Sequence, residues 1–276
     1  MIIGIAGRGD RQEVRKGIDK MLKMLEARKA EYLIEKSLAT SPDPNRAERA
    51  ELVERADILM VVGGDGTLLD LLRECPKAWD KPIIGVKTKG SLGFLMEIDL
   101  DNAVSAVDSL LNGSFIIEFR DGLKVTREDG KTWHLLNEII VRGEHPGKAL
   151  KASIKLSAHL HEVYRGSCDG ILVASPTGST AYSLSLGGPV LDPSLEAMLV
   201  MVLSPLNLSQ RPLIVPLNYE VEIRVHRRKA ILVGDGEILG NMSEGGVVKV
   251  ERGKRARFIR LKEDFYTRLR ERLSWC

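Results

Sequence analysis

The chain has 276 residues, of which 43% are hydrophobic and 29% charged, a composition typical of one or two globular domains and not of a disordered chain. The formal net charge of +3 is too small to indicate a nucleic-acid partner, and no apolar window is long enough to cross a bilayer. Residues 1–7 lack the basic region of a signal peptide, and the three cysteines form neither a metal-spaced pair nor a redox motif. We therefore expect a cytoplasmic protein without nucleic-acid or membrane partners.

Strand-like and helix-like segments alternate over residues 1–112. The expected strands are 1–6, 32–34, 58–62 and 82–86, and the expected helices are 11–27, one that starts in the loop 41–45 and ends at 56, 67–75 and 100–111. Strands that alternate with helices predict a parallel sheet with helical crossovers. Ligands of such sheets bind beyond the carboxyl ends of the strands.

The pattern changes after Gly113, where short strand-like runs and turns predominate up to residue 262. The final residues, 264–273, place apolar side chains on one helical face. We therefore expect an α/β domain over residues 1–112, with a C-terminal helix over 263–276 that packs back on it. A β-rich domain is expected over residues 113–262.

Two features of the β-rich half indicate exposed surface and no function. The alternating run Ala152–Glu162 predicts a strand with one exposed face, on which His159 and His161 are solvent-facing side chains and not metal ligands. The basic run Arg224–Lys229 is interpreted as a solvated hairpin turn and not as a nucleic-acid site.

The stretch Gly63-Gly64-Asp65-Gly66-Thr67 joins a buried strand to a helix. Glycine lets the backbone approach a phosphate group, and the N–H groups at a helix start point at it. A carboxylate at this place repels phosphate, so Asp65 indicates a proton acceptor or a group that holds a metal ion. A plain βα turn capped by Asp65 is the alternative on this fragment alone.

A second unusual stretch, residues 169–189, leads from a buried strand into small hydroxyl residues. Thr180–Leu186 is expected to be a helix, and hydroxyl and N–H groups at its start suit the ribose and phosphate of a nucleotide. The alternative is a Ser/Thr-rich capping turn.

A third fragment, Asn137-Glu138, places two polar residues inside an apolar strand. Buried polar groups need partners, which a ligand with hydroxyl groups and ring nitrogens would supply. The alternative is that Asn137 interrupts the strand at a bulge.

In this order, the three fragments resemble the NAD kinase family. Similar glycine turns occur in diacylglycerol kinases, sphingosine kinases and phosphofructokinases, whereas the stretch Pro176–Pro189 is far more specific. Gly90–Leu95, Arg211-Pro212 and Phe265–Leu269 resemble further segments of the family. Asn207 stands where many members have His, and the turn Asp235–Glu237 is similar to an Asp-Gly turn of the family without an assigned role.

This resemblance implies transfer of a phosphoryl group from ATP or polyphosphate to the 2′-hydroxyl of the adenosine ribose of NAD. It also implies a divalent metal ion, Mg²⁺, and a homodimer or homotetramer. The implied fold is a phosphofructokinase- or diacylglycerol-kinase-like α/β domain with a parallel sheet, followed by a β-rich NAD-binding domain. A diacylglycerol-type lipid kinase and a non-catalytic dinucleotide-binding sensor are the alternatives.

The resemblance further implies a role for individual residues. Asp65 is the catalytic carboxylate that activates the 2′-hydroxyl, and no side chain is assigned as a metal ligand. The implied donor-phosphate residues are Gly63, Gly64, Gly66 and Thr67. The implied NAD-binding residues are Asp65, Gly66, Phe94, Asn137, Glu138, Lys148, Asp169, Thr180, Ala181, Tyr182, Ser183, Leu184 and Ser185.

Overall fold

The computed structural model describes residues 1–8, 12–39, 43–89, 93–261 and 264–273. The chain divides into two compact units, unit 1 (Met1–Phe119 with Ala256–Cys276) and unit 2 (Arg120–Arg255). Each unit has its own hydrophobic core, and each is described by itself. None of the described helices combines the length and apolar character that a bilayer crossing requires.

Unit 1 is built on parallel strands; all elements are numbered in chain order. Its strands are β1 (Ile2–Gly7), β2 (Glu31–Glu35), β3 (Arg46–Ala47), β4 (Ile58–Gly63), β5 (Pro82–Lys87) and β6 (Ile98–Asp99), joined by the end of β18 (Val247–Arg260). Its helices are α1 (Gln12–Ala27), α2 (Arg49–Arg55), α3 (Asp65–Glu74), α4 (Ala103–Leu111) and α6 (Phe265–Leu273). The strand order is β18-β5-β4-β1-β2-β3, with β6 beside β5.

The central strands of unit 1 are apolar because both of their faces are covered. β4 is buried along its whole length. Helices α1 and α4 pack on one face, where Ile18 and Val107 share a core with Met60. On the other face α2 approaches β1 so closely that a Cβ at Gly4 would lie 2.6 Å from Leu52 Cδ2. This two-sided cover confirms the expected α/β class with a parallel sheet.

Three helix predictions in unit 1 need correction at their ends. α2 begins at Arg49 and not in the loop 41–45, because β3 and an extended Glu48 (φ −67°, ψ 150°) precede it. Residues 40–42 of that loop lie outside the described residues. α3 begins at Asp65, two residues earlier than expected, and the expected helix 100–111 is a 3₁₀ turn, Leu100–Asn102, followed by α4.

Unit 2 consists of antiparallel strands in two sheets. Its elements are β7 (Ile116–Arg127), β8 (Thr132–Leu135), β9 (Glu138–Gly143), β10 (Leu150–Leu156), β11 (Glu162–Cys168), β12 (Gly170–Ala174), α5 (Tyr182–Ser185), β13 (Ala197–Leu203), β14 (Leu213–Pro216), β15 (Val221–Arg227), β16 (Ala230–Gly234), β17 (Glu237–Met242) and β18. One sheet contains β11-β10-β15-β18 with β7 and β8, and the other has the order β14-β13-β12-β9-β16-β17. A shared core, with Ile154 and Ile223 from the first sheet and Val173 and Val200 from the second, confirms the expected β-rich half.

Two predictions in unit 2 are wrong. The run Ala152–Glu162 is not one strand, because β10 ends at Leu156 and β11 returns antiparallel from Glu162. His159 and His161 are exposed in the connection between them. The run Arg224–Lys229 is not a hairpin turn, because β15 pairs with β10 and β18 whereas β16 pairs with β9 and β17.

Candidate active site

The glycine turn in unit 1 lies at the carboxyl end of β4 and leads directly into α3. A Cβ at Gly63, where φ is +159°, would lie 2.4 Å from Thr67 Oγ1, so the chain passes this point only with glycine. The N–H groups of Thr67 and Leu68 bond back to Gly64 O at 3.0 and 3.4 Å. The N–H groups of Asp65 and Gly66 precede these first helical donors and have no acceptor within the helix, and such groups at a helix start attract anions. Gly66 is exposed, with open space where a Cβ would be.

The Asp65 carboxylate is bound by the backbone of residues 93–97, which we call the clamp segment. Phe94 N donates to Asp65 Oδ2 at 2.8 Å, and Leu95 N donates to Oδ1 at 3.0 Å. One donor on each oxygen fixes the plane of the carboxylate, while each oxygen keeps a lone pair for a ligand. Gly93 turns the chain into this segment at a φ of +60°. The matched residues Gly90, Ser91 and Leu92 lie outside the described residues.

Opposing effects set the proton affinity of Asp65. Burial raises the pKa of Asp65, while the hydrogen bonds from Leu95 and Phe94 and the charges of Arg272 and Arg260 oppose that rise. A carboxylate with a raised pKa is a better proton acceptor than an exposed one. The local arrangement therefore suits a general base at the start of α3.

In unit 2, Asp235 organises the Asn137-Glu138 fragment. Its carboxylate accepts hydrogen bonds from Leu136 N and Asn137 N at 2.8 Å each and from Glu138 N at 3.1 Å. Asp235 N in turn donates to Glu138 O at 3.0 Å. Asp235 has no role assigned from the sequence, where the Asp-Gly pair is the available local signal. The turn places Asp235 at a φ of +48°.

Asn137 lies in a bend between β8 and β9, which belong to different sheets, so the strand is interrupted there. This outcome corresponds to the interruption alternative, and the residue is nevertheless 8% exposed. Asn137 O accepts a hydrogen bond from Ser175 N at 2.8 Å. A Cβ at Gly178 would lie 2.2 Å from Asn137 O, so glycine is required for this close approach.

The hydroxyl groups of the Ser/Thr-rich stretch bond mainly within the protein. Ser175 Oγ donates to Leu136 O at 2.6 Å, Ser179 Oγ to Pro176 O at 2.6 Å, Thr180 Oγ1 to Thr177 O at 3.1 Å and Ser183 Oγ to Gly178 O at 3.0 Å. The expected helix Thr180–Leu186 is instead a 3₁₀ turn, Thr177–Thr180, and the short α5, because Ala181 between them is not helical (φ −97°, ψ −130°). The hydroxyl groups therefore build a rigid turn beside Asn137.

A cavity of about 460 Å³ opens within unit 2 beside Glu138. Its lining comprises Glu138, Ile140, Arg142, Asp169, Tyr182, Leu186, Leu203, Ser204, Val233 and Gly236. Three of the predicted NAD-binding residues, Glu138, Asp169 and Tyr182, thus line one cavity, whereas Arg142 was missed. The alternation of β9 was the available signal, because Glu138, Ile140 and Arg142 share one face of that strand.

Several predicted NAD-binding residues do not line this cavity in the described structure. They are Asn137, Lys148, Thr180, Ala181, Ser183, Leu184 and Ser185. Lys148 is exposed in the turn after β9, where its backbone N–H donates to His145 O at 3.3 Å. The roles of these residues stay predictions. Asp65, Phe94 and the glycine turn belong to unit 1.

Glu138 is the most unusual polar group of the cavity. It is 5% exposed, and in the described part of the chain its buried Oε2 has no hydrogen-bond partner. Burial, and secondarily the charge of Asp235, raise the pKa of Glu138 to about 8. A buried carboxyl oxygen without a protein partner indicates that a ligand supplies one.

No group of three or more His, Cys, Asp or Glu side chains that could hold a metal ion occurs among the described residues. The protein alone therefore offers no cage of side chains for a cation in the part of the chain that the structure describes.

Unit 1 has a glycine turn that presents a half-buried carboxylate at a helix start, and unit 2 is β-rich with a ligand-sized cavity. Together these features define the class as a phosphotransferase of the two-domain α/β and β-rich type. The model of the ATP-NAD kinase N-terminal domain matches residues 11–115, and the model of the ATP-NAD kinase C-terminal domain matches residues 136–261. The chain belongs to the NAD kinase family.

Relatives and solved structures agree with this assignment. The NAD kinases of Methanothermobacter thermautotrophicus and Moorella thermoacetica are each 36% identical over 280 residues; both alignments cover 99% of this chain, and 96% and 89% of the relatives. Yeast NADH kinase, solved with NADH, has a TM-score of 0.89 at 22% identity, covering 99% of this chain and 87% of that one. An NAD kinase from Archaeoglobus fulgidus, solved with ATP, has a TM-score of 0.77 at 24% identity and covers 99% of both chains. The two structural likenesses concern the fold.

Proposed function

We propose that the chain transfers the terminal phosphoryl group of ATP to the 2′-hydroxyl of the adenosine ribose of NAD, which yields ADP and NADP. The observation that carries this proposal is the Asp65 carboxylate, oriented by two backbone N–H groups in the first turn of α3. Family membership supports the choice of donor and acceptor.

The donor phosphates are assigned to the glycine turn. Gly63, Gly64, Gly66 and Thr67 would surround the phosphate oxygens. The N–H groups that precede Thr67 at the start of α3 would bind them, and exposed Gly66 leaves room for them. This contact recognises phosphate and not a nucleobase. Inorganic polyphosphate is therefore proposed as an alternative donor at the same turn.

The acceptor is assigned to the cavity of unit 2. Glu138, Asp169 and Tyr182 line it, and apolar residues such as Ile140 and Leu203 complete its wall. This combination of apolar walls and a few polar groups is common in ligand pockets. Asn137 would bind the adenosine end from its rigid position beside Asp235.

In the proposed reaction, Asp65 accepts the proton of the 2′-hydroxyl as the oxygen of that hydroxyl forms its bond to the γ-phosphorus. The bond between the γ-phosphorus and the β,γ-bridging oxygen breaks, and ADP leaves with that electron pair. Phosphoryl transfer depends chiefly on in-line positioning and charge neutralisation. The turn supplies the positioning of the donor, and Asp65 supplies the base.

Mg²⁺ is proposed as the cofactor. When bound, it neutralises the charge of the donor phosphates. The absence of a three-residue metal cluster among the described residues is compatible with an ion held mainly by these phosphates.

A reducing, cytoplasmic setting is part of the proposal, because Cys75 and Cys168 are buried free thiols. So is a homodimer or homotetramer, which sedimentation measurements would test.

The direct test incubates the purified chain with NAD, Mg²⁺ and a panel of donors, and measures NADP. We expect NADP with ATP, and the relative rate with inorganic polyphosphate decides whether it is a second donor. Phosphorylation of diacylglycerol without NADP would identify a lipid kinase instead. Tight binding of NAD without turnover would identify a dinucleotide sensor. Omission of Mg²⁺ with a chelator should abolish NADP formation.

A further inference from the structure

The C-terminal helix α6 contributes arginine side chains to the clamp segment that holds Asp65. Arg272 Nη2 donates to Met96 O at 3.3 Å, and its guanidinium carbon lies 5.7 Å from the centre of the Phe94 ring. Met96 and Phe94 belong to the segment whose N–H groups bind the Asp65 carboxylate. All of these residues lie in unit 1.

A buried cluster of ion pairs also contacts the clamp segment. Glu97 Oε2 accepts from Arg260 Nη1 at 3.1 Å and from Arg268 Nη1 at 3.2 Å, and these three side chains are 1%, 3% and 1% exposed. Arg260 Nη1 also donates to Leu95 O at 3.3 Å. Glu118 is a second carboxylate paired with both arginines. Side chains from β18 and α6 thus help to hold the clamp segment, through its own Glu97 and through Leu95 O.

Electrostatics couples this cluster to the base. The charges of Arg272 and Arg260 favour the ionised form of Asp65, against the effect of its burial. Ionised carboxyl groups accept protons, whereas protonated ones do not. Arg272 therefore contributes twice, through the position of the Phe94 and Leu95 N–H groups and through its charge.

We propose that Arg272 is a positioning residue for phosphoryl transfer, which acts through the clamp segment to hold Asp65 in place and ionised. The inference rests on the proposed function of Asp65 as the base. It assigns to α6 a role in turnover, beyond packing. Arg272 is the appropriate residue to change, because it is half-buried, whereas loss of either fully buried arginine would disrupt the buried ion-pair cluster itself.

The test compares Arg272→Gln, Arg272→Lys and the matched control Arg270→Gln, an exposed arginine of the same helix. For Arg272→Gln we expect kcat to fall about 10- to 100-fold, since a displacement of ~1 Å costs ~10²-fold in rate. The KM for NAD should stay within about twofold, because ground-state binding of the acceptor is not changed. Arg270→Gln should behave as the unmodified enzyme does.

The pH profile separates positioning from a merely structural contact. Arg272 and Arg260 lower the pKa of Asp65, so removal of the Arg272 charge should move the acidic limb of kcat to higher pH. Arg272→Lys keeps the charge, so the acidic limb of its kcat profile should lie at the same pH as in the unmodified enzyme. Its kcat should still be reduced, because the planar guanidinium contact with Phe94 is lost.

Three outcomes would overturn the proposal. The first is a kcat of Arg272→Gln equal to that of Arg270→Gln. The second is a reduced kcat of Arg272→Gln whose pH profile keeps its acidic limb at the same pH. The third is an acidic limb that moves as far in Arg272→Lys as in Arg272→Gln. If Arg272→Gln does not fold, the Arg272→Lys variant decides, and a kcat equal to that of the unmodified enzyme refutes the guanidinium contact. An unmodified enzyme that forms no NADP would refute the proposed function instead, so the two failures are distinguishable.

Discussion

Burial raises the pKa of two carboxyl groups, Asp65 in unit 1 and Glu138 in unit 2, but the two groups have opposite surroundings. Asp65 receives a backbone N–H group on each oxygen and lies in the field of Arg260 and Arg272. Glu138 has an oxygen without a hydrogen-bond partner in the described structure, and its electrostatic neighbour is another carboxylate, Asp235.

The difference shows that burial alone does not decide the state of a carboxyl group. Donors and cations stabilise the ionised form of Asp65, whereas Asp235 adds to the cost of ionising Glu138. We therefore interpret Asp65 as a proton acceptor and Glu138, with a pKa of about 8, as a neutral group that donates a hydrogen bond to a ligand at pH 7. Different surroundings can thus give two carboxyl groups of one chain different roles.

The largest effect should come from Asp65→Asn, which keeps the shape of the side chain but removes the base. Turnover should fall by about 10²- to 10⁴-fold, the usual contribution of a positioned general base. NAD affinity should be largely unchanged in equilibrium titration. Asp70→Asn on the same helix is the control, and turnover within a few-fold of the unmodified enzyme for Asp65→Asn would remove Asp65 as the base.

Asp235→Ala tests whether the Asn137-Glu138 segment is held in place by the carboxylate of the Asp-Gly turn. Three backbone N–H groups lose their shared acceptor, so the free energy of unfolding should fall by about 2–4 kcal/mol. The KM for NAD should rise about tenfold. Asp129→Ala, in the exposed Asp-Gly turn between β7 and β8, is the matched control and should have little effect in chemical denaturation or kinetics. Equal losses in the two variants would show that Asp235 is an ordinary turn residue.

Two alanine substitutions test the assignment of the donor phosphates to the glycine turn. Gly63→Ala should lower the free energy of unfolding by about 1–3 kcal/mol, because its Cβ would overlap Thr67 Oγ1. Gly66→Ala meets open space within the protein and should be neutral or slightly stabilising, by about 0.5–1 kcal/mol. If Gly66 faces the donor, the KM for ATP should nevertheless rise. Unchanged ATP kinetics in Gly66→Ala would separate that residue from the donor site.

The smallest effect is expected for Glu138→Gln, measured as stability against pH. Glu138 has a pKa of about 8 in the folded chain, above the 4.5 that is usual for a glutamate, so the folded state binds more protons than the unfolded state between these values. Its contribution to stability is complete below pH 4.5 and is lost as the pH rises through 8. In chemical denaturation, the free energy of unfolding should therefore fall less between pH 4.5 and 8 for Glu138→Gln than for the unmodified chain. Exposed Glu237→Gln is the control, and parallel pH curves for Glu138→Gln and the unmodified chain would contradict a neutral Glu138.

The sequence predicted the parts of the site whose signal is local. A buried apolar strand, three glycines and a helical repeat predict the βα turn at Gly63–Thr67 from adjacent residues. It could not predict the donors to Asp65, because backbone N–H groups carry no side-chain signature and Phe94 is 29 residues away. The hydrogen bond from Asn137 N to the Asp235 carboxylate, 98 residues away, could not be predicted for the same reason.

The errors share one physical cause. The run Arg224–Lys229 has the composition of a hairpin, but β15 and β16 find partners in different sheets, and the identity of a strand's partner is a long-range property. The ligand role predicted for the Ser/Thr-rich stretch stays a prediction, but the fold also uses its hydroxyl groups internally, since Ser175 and Ser183 donate theirs to backbone carbonyls. Composition identifies available donors but not the acceptors that the fold brings to them.

By itself, the sequence determined the α/β and β-rich halves, the glycine turn with its carboxylate, and the family, because each depends on residues close together in the chain. Tertiary structure alone decided which groups surround Asp65 and Glu138, since their neighbours come from β18, α6 and the β16–β17 turn, far along the chain. The chemistry proposed for the two carboxyl groups depends on those neighbours. The proton affinity of a buried acid is set by the charges and donors that folding places around it.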